Sequence, residues 1–169
     1  MRISKLTITT VLATQWIIGS AAAAATPLMI GGNARDHTAL QAASHEWVGH
    51  FESGDLEKLL ALYDRDAVIM SAGRARVAGI AAIRAMFEAL LAAQDKRIHI
   101  EIEETGIDHN MAWASVLAVI HYQKHGAAPR DYLSRTFIVY RRDRQGAWKI
   151  LRDLDAPTPD ANPLAAIRE

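Results

Sequence analysis

Two histidines flanking a glutamate and a tryptophan raise the first chemical question. The stretch His45-Glu46-Trp47-Val48-Gly49-His50 has the residue types of a zinc-protease helix, in which two imidazoles four residues apart grip an ion and the glutamate acts as base. Here the gap is five. At about 100° per residue, five steps swing the second ring about 140° round a helix, against about 40° for a gap of four. No metal is expected at this stretch, and what it does offer is Trp47 and Phe51, one helical turn apart. His121 and His125 share a strand face but stand about 13 Å apart at ~3.3 Å per residue, too far to chelate one ion. His121 alone could still pass a proton. The chain has no cysteine, which removes thiol nucleophiles, CxxC redox pairs and thiolate metal sites. No Gly-x-Ser-x-Gly elbow marks a serine hydrolase. The side chains left for chemistry are carboxylates, phenols and hydroxyls, and no cofactor is expected.

These groups need a scaffold, and hydrophobic periodicity supplies one. Leu40, Ser44, Trp47 and Phe51 recur every three or four residues and predict a first helix with Asp36 as its N-cap and Gly54 as its end. Asp55 caps a second, short helix through Leu56, Leu59, Leu60 and Tyr63. Residues 67–72 and 76–78 read as short strands, and Gly79 opens a third helix with Ile80, Ile83, Phe87, Leu90 and Leu91 on its inner side. From Arg97 the period changes to strict alternation: Ile98, Ile100 and Ile102 share one face and His99, Glu101 and Glu103 the other. Long strands are expected over 111–122 and 132–142 and a last one over 147–154, the final two joined by a hairpin turn at residues 143–146. The fold class is α+β, with three N-terminal helices packed in the concave face of a strongly curved antiparallel or mixed sheet, a cone-shaped barrel.

The ends have their own character. Arg2 and Lys5 precede an apolar run from Leu6 to Ile18, and the alanines at 21 to 25 follow, the layout of a secretory signal peptide over 1–25. Removing it leaves 17 basic against 19 acidic groups and predicts a periplasmic or secreted domain with no membrane anchor after cleavage, since no later segment approaches ~20 apolar residues. Residues 26–35 read as a flexible lead-in, 36–155 as the domain, and 156–169 as a proline-rich tail. Charge is balanced at 19 basic and 19 acidic residues, with no basic stripe to neutralise phosphates, so nucleic acid is not an expected partner.

The series Trp47, Gly54-Asp55-Leu56, Leu59, Tyr63, Asp66-Ala67, Gly79, Ile83 and Phe87, closed by Gly146-Ala147-Trp148-Lys149-Ile150, resembles the SnoaL-like branch of the nuclear transport factor 2-like superfamily across residues 36–155. That family spans isomerases, cyclases, dehydratases and pocket domains without a known reaction, so the resemblance implies the fold far more than the chemistry. Against ketosteroid isomerase, the helix tyrosine falls on Trp47, the base aspartate on Ser71 and the second oxyanion donor near Ile138. None of these can fill the role, which argues against that activity.

The resemblance also implies which side chains face a cavity. Ile69, Ser71, Ser134, Thr136, Ile138, Tyr140, Leu151, Asp153 and Asp155 would line it, with Trp47, Phe51, Tyr63 and Phe87 as aromatic walls. A mostly apolar cavity with a few polar groups is what a small apolar or aromatic ligand needs. Three functions follow. One is an exported pocket domain that binds such a ligand. The second is a cofactor-free isomerase, dehydratase or cyclase with Asp153 or Asp155 as general base and Tyr132, Tyr140 or His121 as donor. The third is a dimerisation module with a filled cone. An ion pair of Arg152 or Arg135 with the aspartates would make them structural instead. Apolar side chains on both faces of the two long strands predict a homodimer packed sheet to sheet.

Overall fold

The structure is a computed structural model that describes residues 26–158 other than 93, 94, 124, 125, 127 and 129. The segment 1–25, His125 and most of the tail lie outside the described residues. The elements run β1 Leu28–Gly31, α1 Ala34–Ser53, α2 Leu56–Ala61, β2 Tyr63–Ser71, β3 Val77–Ala78, α3 Ile80–Leu91, β4 Asp95–Asp108, β5 Met111–Gln123, β6 Arg130–Arg142 and β7 Trp148–Pro157. One sheet holds all seven strands in the order β1-β4-β5-β6-β7-β2-β3. The three helices pack on it, as the alternation of β4 and the helical stripes before it predict.

Local chemistry sets the helix ends. The first helix starts earlier than expected: Asn33, not Asp36, is the N-cap. Asn33 Oδ1 accepts from the Asp36 backbone N–H at 3.0 Å, and Asn33 Nδ2 donates to Asp36 Oδ2 at 3.0 Å. Asp36 thus answers the cap from the first turn, a reciprocal arrangement like a capping box. Gly54 ends α1 in the left-handed region at φ 74, and Asp55 caps α2 by accepting from the Lys58 N–H. Tyr63, placed by periodicity at the end of α2, instead begins β2. That one-turn difference moves its ring from a helix face to the sheet.

Register shifts bend the strands, the first in β4 between Ile102 and Glu104, the second in the β6–β7 ladder between Val139 and Tyr140, and a third in the β2–β7 ladder between Tyr63 and Val68. Extra residues of this kind bend and twist a strand. The second shift falls at Leu151, because Tyr140 pairs with Ile150 and Val139 with Arg152. Leu151, expected to face the cavity, is the inserted residue. Ile150 takes the inward place, and the shift lets Ile150 and Asp153, three apart, share the concave face.

The ends of the domain are more ordered than composition predicts. Within the expected lead-in, Leu28–Gly31 pairs in parallel with β4. His37 joins this edge strand to the rest: its Nε2 donates to Gly31 O at 2.9 Å, and its Nδ1 lies 2.8 Å from Thr105 Oγ1. A carbonyl can only accept, so Nε2 carries the proton. At the other end, β7 extends two residues into the expected tail, with Pro157 opposite Ser134.

The core lies between α1, α3 and the concave sheet face: Leu40, Phe51, Leu59, Ile83, Phe87, Ile98, Ile102, Val116, Tyr140 and Ile150 are all buried. On the convex face, Trp113 lies across Gly106, where any Cβ would meet the indole within about 2 Å. Phe137 and Leu154, paired across β6 and β7, remain 43% and 40% exposed on that face. Arg135 and Glu103 form an ion pair there at 3.0 Å.

Candidate active site

Strand β7 delivers two carboxylates to the concave face. Asp153 stands between Ile138 of β6 and Ile69 of β2, and Asp155 between Thr136 and Ser71. Four of the six residues predicted to line the cavity on those strands therefore surround the pair. Their chemistry divides in two. Apolar neighbours desolvate Asp153, whereas hydroxyl-bearing neighbours surround Asp155.

The hydrogen bonds follow the same division. Tyr63 donates to Asp153 Oδ2 at 3.3 Å, and Trp47 Nε1–H donates to the Tyr63 oxygen at 2.9 Å. Tyr132 donates to Asp155 Oδ2 at 3.4 Å, and Asp155 Oδ1 is enclosed without a partner. Tyr140, buried, meets Ser44 Oγ at 3.2 Å. Neither arginine that could have turned the aspartates into ion pairs does so. Arg135 pairs with Glu103 on the opposite face, and Arg152 donates to the carbonyls of Asp66 and Leu151.

Burial and the charge of Asp155 push Asp153 up from the ordinary 3.8 to about 6, against the opposing hydrogen bond from Tyr63. Burial, then the Asp153 charge, also pushes the Tyr63 phenol well above its ordinary range. Tyr140 rises through burial, with the Ser44 hydrogen bond opposing and the Asp153 charge adding. Tyr132 rises through burial and the Asp155 charge. Asp153 lies deep in the fold yet keeps accessible surface, as do Ile100, Ile120, Thr136 and Ile138.

The aromatic wall is layered. Trp47 stacks on Phe51 with centroids 5.2 Å apart, and Phe87 meets Trp47 edge-on at 6.2 Å and Tyr63 at 5.7 Å. Phe51, Phe87 and Ile69 are buried. All three, expected to touch a ligand, belong to the buried core cluster. His121 is not brought to the site. It alternates onto the convex face, where Nδ1 lies 2.5 Å from Asp131 Oδ1. Even spacing along β5 puts Ala118 and Ile120 inward and His121 outward. His45 is exposed and His50 half-buried on α1.

A separate concavity of about 470 Å³ opens at the other end, between the start of α1 and the β6–β7 hairpin. Its one carboxylate, Asp36, is held by Arg142 at 2.8 Å, and Arg142 lies 4.2 Å over the Trp148 ring. Its described lining residues include no free base.

The SnoaL-like domain family matches residues 45–151. The chain belongs to the SnoaL-like family. This SnoaL-like domain is also similar in fold to solved structures. A conserved protein from Planctomyces limnophilus superposes with a TM-score of 0.71 at 22% identity, covering 75% of this chain and 99% of that one. A ketosteroid isomerase-like protein from Erwinia carotovora gives 0.68 at 17% identity, covering 75% and 100%. A nuclear transport factor 2-like protein with a cystatin-like fold from Novosphingobium aromaticivorans gives 0.63 at 21% identity, covering 80% and 90%. No curated protein matches the chain by sequence. At these identities the likeness carries the fold, and the chemistry rests on the residues of this SnoaL-like domain.

Proposed function

We propose that this SnoaL-like domain is a cofactor-independent proton-transfer enzyme of the isomerase or lyase type, acting on a small apolar or aromatic molecule held in the cone, with Asp153 as general base. The observation that carries the reading is the state of Asp153. It is deep, it has no cationic partner among the described residues, a phenol holds it by one oxygen, and burial pushes its pKa up to about 6. A carboxylate with that midpoint is ionised at neutral pH and is a stronger base than a solvated one. Oδ2 is held by Tyr63, which leaves Oδ1 to take the proton from a carbon acidified by a neighbouring carbonyl. The C–H electrons pass to the carbonyl oxygen as an enolate. Return of the proton to another carbon completes an isomerisation; loss of a β-hydroxyl as water, with the same proton, completes a dehydration. Tyr132, half-buried, is the phenol best placed to reach a ligand oxygen, whereas Tyr140 is enclosed.

The reading differs from ketosteroid isomerase in where the base sits. Ser71 occupies the place that the resemblance gives to a base on β2, and the residue beside it across the ladder is Asp155. The carboxylates have moved one strand over. The reading includes export through the segment 1–25 and a homodimer through the convex face, supported by the exposed Phe137 and Leu154.

The test uses 5-nitrobenzisoxazole, whose isoxazole ring opens when a base removes the proton on C3 and the N–O bond breaks, giving a nitrile and a phenolate. The expected outcome is turnover that Asp153→Asn reduces by roughly 10²-fold to 10⁴-fold. Equal rates for the wild type and Asp153→Asn would remove Asp153 from the role of base.

A further inference from the structure

The indole of Trp47 has a single polar atom, and that atom can only donate. Its Nε1–H is directed at the Tyr63 oxygen at 2.9 Å, and that oxygen lies 3.3 Å from Asp153 Oδ2. A phenol has one hydrogen. With an obligate donor on one side and a carboxylate on the other, the Tyr63 hydrogen has one place to go.

We propose that Trp47 is a positioning residue for the proton-transfer step: by donating to Tyr63 it commits that hydroxyl to Asp153 Oδ2 and so leaves Oδ1 as the one oxygen that meets the substrate. The inference rests on Asp153 being the base. It explains why the position that the family resemblance gives to an oxyanion donor carries an indole. Trp47 does not point its donor at a ligand; the donor is spent inside the wall, and Tyr63, fixed as a one-way donor, is spent with it.

The relay is held mechanically as well as by hydrogen bonds. Trp47 is stacked on Phe51 with an interplanar angle of 8°, and Phe87 packs against both Trp47 and Tyr63 at centroid distances of 6.2 and 5.7 Å. One phenyl ring therefore restrains both members, and such offset and edge-on contacts are directional. The ionisable groups acting on Asp153 are Asp155 on its own strand, Tyr63 on β2 and Tyr140 on β6, while α1 presents the uncharged Trp47. No basic side chain is among them, so the Tyr63 hydrogen bond is the interaction that favours the carboxylate form. Polarising it from behind strengthens it.

The experiment follows the Asp153 side-chain carboxyl carbon by NMR across pH in the full chain, with Trp47→Phe, Tyr63→Phe and the double variant. The substitution Trp47→Phe keeps an aromatic ring against Phe51 and removes the N–H. It is expected to raise the Asp153 midpoint by roughly one pH unit, since the carboxylate loses support. In the Tyr63→Phe background the same substitution is expected to move nothing. An equal shift in both backgrounds, or none in either, would overturn the relay. A wild-type measurement stands apart from any loss of folding: the Trp47 Nε1–H resonance should titrate with the same midpoint as Asp153, and an indole indifferent to that midpoint overturns the proposal. No substrate is involved, so inactivity toward 5-nitrobenzisoxazole sinks the base assignment while leaving the relay standing, and unlinked midpoints in an active enzyme sink the relay alone.

Discussion

Tyr63 and Asp153 are separated by 90 residues and joined by one hydrogen bond, Oη to Oδ2 at 3.3 Å, across the parallel pair of β2 and β7. The bond ties the first residue of β2, just past α2, to a carboxylate near the end of the last strand. It also sets the conflict at the centre of the site, because the fold buries a carboxylate that it does not neutralise.

That conflict has a stability consequence. The folded midpoint of Asp153, about 6, lies above the ordinary 3.8. The folded state therefore prefers the protonated acid, and the stability Asp153 contributes is present below about 3.8 and lost as pH rises through 6. Two units correspond to about 2 to 3 kcal/mol. Asp153→Asn should accordingly unfold later than the wild type in urea at pH 7.5, by about that amount, with the two curves converging at pH 4. A variant less stable than the wild type at pH 7.5 would contradict the burial argument.

The same group should govern rate. Elimination of 5-nitrobenzisoxazole requires the ionised base, so turnover should rise with pH through about 6 and then level off. Asp155→Asn removes the neighbouring charge that holds the Asp153 midpoint up, and the rise should move to lower pH. A midpoint unmoved in Asp155→Asn would mean that the two carboxylates do not sense each other.

His37 is a structural histidine with a measurable task. Replacement by Leu leaves Gly31 O and Thr105 Oγ1 without their shared partner, at a cost of about 1 to 3 kcal/mol. Because β1 is the edge strand of the described sheet, paired there only with β4, the loss should concentrate there. Amide exchange should accelerate in residues 28–31 while β5 and β6 stay protected, and uniform acceleration across the sheet would show that His37 supports the core instead.

The convex face gives the fourth expectation. Phe137→Lys places a charge at the centre of the apolar patch formed with Leu154, far from the Asp153 side of the sheet. Sedimentation should show a dimer for the wild type and a monomer for the variant, with the thermal transition retained. A wild type that sediments as a monomer at tens of micromolar would remove the sheet-to-sheet dimer.

Much of the fold was legible because it depends on local rules. The period of 3.6 in α1 and α3, the alternation of β4, and the glycines at 54, 79 and 146, all with positive φ, are statements about neighbours in sequence. Asn33 escaped because a capping box can be read from either of its members, and Asp36 is one of them. β1 escaped because four residues ending in one glycine and followed by another make no stripe; its parallel partner is 76 residues away, and His37, which clasps it, is anchored on Thr105, 68 residues further on. The last strand was foreshortened because Pro157 reads as a breaker, while at the last rung of a ladder its missing N–H costs little.

The site divides along the same line. Sequence by itself excluded thiol chemistry, since there is no cysteine, left carboxylates, phenols, hydroxyls and His121 as candidates, and set Asp153 and Asp155 on one face of a strand, since side chains two apart on a regular strand share a face. It could not determine whether that face would be dry, who would stand opposite, or which histidine would be left outside. Only the tertiary structure decided those points. Midpoints, partners and accessible oxygens depend on atoms brought together from β2, β6, β7 and α1, and a bulge of one residue at Leu151 determines which side chains those strands turn inward.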